Sequence, residues 1–300
     1  MLALFIQIAI ACSVAVMFLL ALWLPGLLVL ATAFGVVLFY CAWLAMQFRL
    51  MVAVNANEDA DAGHSFALLA RSWWLEVVVS IQAFAWWQPF RSKANPDQVP
   101  PCAEEGAGQR GIVLVHGFAC NRGIWMPWFE KLRKRRIPYI AVNLEPVLGS
   151  IDDYSPLLDK AVSAMFSATG APPLLVGHSM GGLAARAWLR RMQDSTRVHQ
   201  FVTIGTPHHG TLLGHFGPRM SALVNGNQMR FGSPWLTELA RSESLRCCKM
   251  FTCFYSNCDN IVMPTGSATL NGADNRLISG VPHLAMVADE SIIEQTLAML

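Results

Sequence analysis

Residues 1–48 contain no Asp, Glu, Lys or Arg, and Arg49 is the first formal charge. A stretch of that length without a charge cannot give a helix its solvated face, so an apolar environment must surround it. Leu2 to Leu24 is long enough to cross a bilayer, Pro25-Gly26 interrupts it, and Leu27 to Phe48 is long enough to return. A cleavable secretory signal would begin with a basic region and carry a shorter apolar core. Residues 1–50 are therefore expected to form a transmembrane hairpin.

The next stretch, 51–110, changes character twice. Asn55 to His64 is polar, with Glu58, Asp59 and Asp61 close together. Ser65 to Phe90 is apolar again, with Trp73-Trp74 and Trp86-Trp87 near its ends and Arg71 and Glu76 inside. Tryptophan pairs favour the headgroup region, and charges confined to the first half suit a helix lying in the interface. A third span is the alternative, and it would move the rest of the chain to the other side of the membrane. Ser92 to Arg110, with Pro96, Pro100, Pro101, Gly106 and Gly108, reads as a linker.

From 111 to 300 strand-like and helix-like segments alternate. Ile112 to His116, Pro138 to Val142, Leu174 to His178, His199 to Ile204, Met250 to Tyr255 and Asn275 to Ser279 read as strands. Trp125 to Arg136, Tyr154 to Thr169, the segment after Ser179 and Glu290 to Leu300 read as helices. Such alternation predicts an α/β fold: a mostly parallel sheet covered by helices on both faces.

One strand-to-helix junction carries chemistry. Leu174-Leu175-Val176 runs into Gly177-His178-Ser179-Met180-Gly181, and Leu183 to Leu189 continues as a helix. A serine on so sharp a corner needs strained backbone angles and small neighbours, which glycines two residues before and two after supply. A serine hydroxyl also needs a histidine base, itself oriented by a carboxylate. In sheets of this type such partners follow strands, in the chain order Ser, acid, His. Asp259 follows the Met250–Tyr255 strand and His283 follows the next. Asp274 falls before a strand, Asp289 suits the start of the last helix, and His208 and His209 precede any acid. Two backbone N–H groups must face the developing oxyanion, and Met180 and Phe118 are expected to supply them. His116, Gly117, His178 and His208 are expected to line the substrate site. The apolar stretch Thr211 to Ser244 is expected to cap it.

The segments Val115-His116-Gly117-Phe118, Gly177-His178-Ser179-Met180-Gly181-Gly182, Gly205-Thr206-Pro207-His208-His209-Gly210-Thr211 and Asp259-Asn260-Ile261-Val262-Met263-Pro264 resemble bacterial triacylglycerol lipases of the α/β-hydrolase superfamily. The likeness covers roughly residues 111–285. It implies an α/β-hydrolase fold with Ser179 as nucleophile, Asp259 as orienting acid and His283 as base. Lipases of that group often hold a structural calcium through acids near the histidine. Here Leu284-Ala285-Met286-Val287 follows, so no metal and no cofactor are expected.

These readings lead to a membrane-anchored serine hydrolase acting on esters of lipids or other hydrophobic substrates. The alternatives are an acyltransferase using the same acyl-enzyme and a non-catalytic membrane scaffold. A formal net charge of +2, with no aromatic-interleaved basic patch, argues against a nucleic-acid partner. The basic run Lys131 to Arg136 reads as a solvated helix end. Eight cysteines show no metal-ligand spacing. Arg49, Arg71, Arg91 and Lys93 all follow the uncharged hairpin, which places the catalytic part on the cytoplasmic side of a bacterial inner membrane.

Overall fold

The computed structural model describes residues 1–23, 25–56, 64–100, 108–215 and 223–300. The acidic cluster of Glu58, Asp59 and Asp61 and two of the expected linker's prolines and glycines, Pro101 and Gly106, lie outside the described residues.

Six strands form one sheet in the order β2-β1-β3-β4-β5-β6: β1 Ile112–Val115, β2 Tyr139–Val142, β3 Leu174–His178, β4 Gln200–Ile204, β5 Phe251–Tyr255 and β6 Asp274–Leu277. Every neighbouring pair is parallel. Alternate residues of a strand point to opposite faces, so an apolar run feeds two layers at once. Val113, Val115, Leu175 and Phe201 enter one layer with Leu183, Trp188 and Phe251. Ile112, Leu114, Leu174, Val176 and Val202 enter the other with Trp125, Trp128, Phe129 and Ile292. Phe201 and Phe251 stack across β4 and β5 with ring centroids 4.5 Å apart. This is the α/β-hydrolase fold.

Three apolar helices precede the sheet. α1 (Leu2–Trp23), α2 (Gly26–Asn55) and α3 (Phe66–Gln82) with its π-helical continuation (Ala83–Arg91) are each long and apolar enough to cross a membrane. At 1.5 Å per residue α2 is about 45 Å long, more than the roughly 30 Å of a hydrocarbon core. Its buried residues, Leu44, Gln47, Phe48, Met51 and Asn55, all lie in the C-terminal half. There Phe48 and Met51 pack against Cys258 and Met263 of the loop after β5.

α3 begins with Ser65, whose hydroxyl accepts from Leu68 N–H at 3.2 Å. It lies against the sheet domain rather than apart from it, burying Ser72, Glu76, Val77, Val79 and Ser80. The Ser72 hydroxyl donates to the Gly280 carbonyl at 2.8 Å. The opposite face leaves Phe66, Trp74, Ile81, Trp86 and Phe90 exposed. The helix thus buries Glu76 and two serines among valines on the protein side and leaves a row of large apolar residues outward.

Two sequence readings change here. The stretch after Arg91 is docked rather than free: Gln98 makes an antiparallel bridge to Tyr139 at the β2 edge, and the Asp97 carboxylate accepts from Ala141 N–H at 3.0 Å. The basic run is partly paired rather than merely solvated. Lys131 reaches Glu290 and Glu294 of the last helix, and Arg135 reaches Glu294 at 2.6 Å.

Candidate active site

Ser179 stands between β3 and the helix Met180–Met192 with φ 54° and ψ −125°. A left-handed φ on a residue with a side chain persists only where the surroundings enforce it. β3 is buried along its whole length, and Ser179 N–H is tied to the Ile204 carbonyl at 2.9 Å. The Thr206 hydroxyl donates to the Ser179 carbonyl, also at 2.9 Å. A Cβ on Gly177 would fall 2.5 Å from Gly182 N, and one on Gly181 would collide with the Val115 carbonyl. Both glycines are therefore required by the tightness of the corner.

Asp259 and His283 meet on the loops leaving β5 and β6. The Asp259 Oδ1 accepts from the backbone N–H groups of Ile261 and Val262 at 2.9 and 2.8 Å. Its Oδ2 accepts from His283 Nδ1 at 2.9 Å. A carboxylate can only accept, so the proton of that bond lies on Nδ1 and the Nε2 lone pair remains available. Burial disfavours the charged ring, but the Asp259 carboxylate, by charge and by hydrogen bond, and the Glu76 carboxylate together outweigh it. The imidazole therefore titrates above its ordinary value.

Ser179 and His283 line one cavity of about 300 Å³ together with Gly117, Phe118, His178, Asn260, Ile261 and Leu284. Gly117 approaches so closely that a Cβ there would be 2.8 Å from the Ser179 Cβ. Met180 is the first residue of its helix, so its N–H has no intrahelical acceptor. The His178 Nε2 donates to the His283 carbonyl at 3.2 Å, and burial holds the ring's pKa well below its ordinary value.

Two predicted site residues are placed elsewhere. His116 donates from Nδ1 to the Gly117 carbonyl at 2.9 Å and accepts at Nε2 from Leu144 N–H at 3.0 Å. Burial lowers its pKa to about 4, and it braces the loop after β1 instead of lining the serine's cavity. His208 lies behind the site, with Nε2 3.1 Å from the Thr203 hydroxyl and its carbonyl taking Arg186 Nη1 at 2.9 Å. Arg186 in turn forms a two-bond pair with Glu243 at 2.7 and 2.6 Å. This buried network holds the helix that begins at Met180.

The expected cap, Thr211 to Ser244, falls partly outside the described residues. The described part of Thr211 to Ser244 contributes nothing to the cavity lining. Its helix Pro234–Arg241 packs toward the Met180–Met192 helix, and Trp235 donates to Asp152 at 2.8 Å. Phe216 and Met220, counted in that cap, lie outside the described residues. The remaining walls come from upstream of the sheet: Tyr40, Trp43, Leu44 and Gln47 of α2, then Glu76, Ser80 and Phe84 of α3 and its continuation.

Two of these upstream residues touch the candidate site directly. The Glu76 carboxylate accepts from Leu284 N–H at 3.1 Å and from Ala285 N–H at 3.3 Å. Gln47 Oε1 accepts from Asn260 Nδ2 at 2.8 Å, and Asn260 Oδ1 accepts from His283 N–H at 3.3 Å. The only available sequence signal was the isolation of each polar residue within an apolar helix. Among the described residues no group of His, Cys, Asp and Glu is arranged to hold a metal ion.

Residues 112–255 match the model of the Alpha/beta hydrolase family. A probable esterase of rice, PIR7A of Oryza sativa subsp. indica, is 30% identical over 120 residues, covering 36% of this chain and 43% of that protein. The matched region thus spans less than half the length of that relative. Among solved structures, the mature lipase BlEst2 of Bacillus licheniformis superposes with a TM-score of 0.56 at 16% identity, covering 68% of this chain and 95% of that one. Lipase B of Aspergillus fumigatus gives a TM-score of 0.52 at 19% identity, covering 62% of this chain and 51% of that one. At these identities the two structures share the fold.

Proposed function

We propose that the chain is a membrane-anchored hydrolase of carboxylic esters, acting on lipids or other hydrophobic esters. The observation that carries the reading is Ser179, held at φ 54° on the β3 corner, lining one cavity with His283, whose Nδ1 is bonded to Asp259. The esterase and lipase relatives support the reaction class.

In this reading His283 Nε2 takes the Ser179 proton as Oγ attacks the ester carbonyl. The Phe118 and Met180 N–H groups receive the oxyanion. His283 then gives its proton to the departing alkoxide, leaving an acyl-serine. Water attacks the acyl-serine with His283 again as base, releasing the carboxylic acid and restoring the hydroxyl. Asp259 keeps the Nδ1 proton in place and stabilises the imidazolium between the two transfers. His178 and Gly117 shape the pocket around the scissile group.

The apolar outer faces of α1 and α2 support anchoring in a bilayer, with the domain on the side where Arg49, Arg71, Arg91 and Lys93 gather. Ser179→Ala is expected to abolish both ester turnover and fluorophosphonate labelling of folded protein. Labelling that persists in this variant would place the nucleophile elsewhere.

A further inference from the structure

The serine's cavity has two kinds of wall. The sheet domain supplies residues 117–120, 178–179, 260–261 and 283–284, and the helices upstream supply the rest. Its lining is mainly apolar, as an acyl chain requires. Two of its lining residues are also surface residues: Trp43 is 47% exposed and Phe84 is 39% exposed. They stand on facing elements, α2 and the continuation of α3, which are joined at this level by a 2.6 Å hydrogen bond from Tyr40 Oη to Ser80 Oγ.

The surface around this opening is apolar. Val36, Val37, Leu38, Phe39 and Met46 on α2, with Ile81 and Trp86 on the other side, are all exposed large hydrophobics. Counting a span of about 20 residues from Gly26 puts Trp43 near the far boundary of the hydrocarbon, where tryptophan is favoured. The opening therefore faces lipid at the depth where an ester linkage and the first part of an acyl chain reside.

From these observations we infer that the cleft between α2 and α3 is a lateral portal, through which the acyl chain of a bilayer lipid enters to bring its ester to Ser179. Leu44, buried at 6% exposure on the portal's inner wall, sets how much chain the cavity admits. The inference rests on the hydrolase and membrane readings above and adds the route, the subsite and the substrate's physical state. The ester arrives from the membrane and not from water, and residues outside the sheet domain determine the preferred chain length.

The test uses full-length protein in phosphatidylcholine vesicles. A phosphatidylcholine carrying a diazirine on one acyl chain is photoactivated, and the labelled residues are mapped by mass spectrometry. Label is expected on Phe118, Ile261 or Leu284, which surrounding lipid does not touch. Label confined to the outer faces of α1, α2 and α3 overturns the portal. That result is read in wild-type protein and holds whether or not a variant folds. In parallel, Leu44→Trp narrows the inner wall, and turnover of methylumbelliferyl oleate and butyrate is compared. Each methylene kept from apolar contact costs about fourfold, so the oleate-to-butyrate ratio is expected to fall by about tenfold. An unchanged ratio in folded variant also overturns the portal. Failure of the hydrolase reading looks different: wild-type and Ser179→Ala proteins would be equally inert toward both esters while interior labelling persisted.

Discussion

Gln47, in the second apolar helix, accepts a 2.8 Å hydrogen bond from Asn260, the residue that follows Asp259. Asn260 is fully buried, and its other side-chain atom accepts from the backbone of His283. One amide side chain therefore ties α2 to the two loops that carry the candidate acid and base.

Gln47→Leu removes the acceptor and leaves the Asn260 amide buried without a partner. An unsatisfied buried donor costs about 1–3 kcal/mol, so thermal or denaturant unfolding should register a loss of that order. Because Asn260 also sets the His283 backbone, kcat is expected to fall several-fold with the fluorophosphonate still able to label Ser179. Unchanged stability and turnover in detergent-solubilised protein would show that the bond is dispensable.

The second prediction concerns pH. A base must be neutral to take a proton, so activity rises as pH passes upward through the His283 pKa. The neighbouring carboxylates of Asp259 and Glu76 raise that pKa by favouring the imidazolium. Burial pushes the Glu76 carboxyl up to about 7, so it carries its charge from neutral pH upward. Glu76→Gln removes that charge and is expected to move the acid limb of the kcat/KM profile only slightly to lower pH. Leu284 N–H and Ala285 N–H both reach the same Glu76 oxygen, Oε2, and an amide oxygen in that place can still accept from both, so the loss of stability is expected to be small. A profile that stays in place while stability drops would assign Glu76 a structural role alone.

Arg186 and Glu243 provide the third. Their side chains are 0% and 7% exposed, and they meet through two hydrogen bonds. Removing one partner of a buried pair leaves an uncompensated charge and costs about 3–5 kcal/mol. Arg186→Ala is expected to destabilise the protein by that amount, and Arg186→Met combined with Glu243→Met to recover much of it. Equilibrium unfolding of the single and double variants measures both. Loss of the Arg186 bond to the His208 carbonyl should also loosen the Gly205–Gly210 loop, visible as faster amide exchange there.

Most of the sheet could be read from the sequence because β1 to β5 are short, mainly apolar runs bounded by Gly, Pro or polar residues, whereas the edge strand β6 is polar and largely exposed. Buried parallel strands have no other way to appear. Asp289 caps the last helix with its side chain, accepting from Ile292 N–H, as its position before Glu290 suggested. The serine's corner was legible for a steric reason, since only glycine fits at 177 and 181. His208 was not, because a loop histidine near a site and one turned away into an Arg–Glu network look identical in one dimension. The cavity walls that α2 and α3 supply were not legible, because an apolar helix does not show in its sequence that one face meets a site. Nothing in the spacing of Leu44, Gln47 or Glu76 states which surface an amphipathic helix will meet.

The docking of α2 and α3 on the sheet domain makes the apolar helices and the candidate site parts of one interior. Excising the first 91 residues to obtain a soluble enzyme would strip the partners from the Leu284 and Ala285 amides and from the Asn260 side chain, and would open the serine's chamber along one flank. Any shortened form lacking these helices would first have to rebuild that flank from new residues.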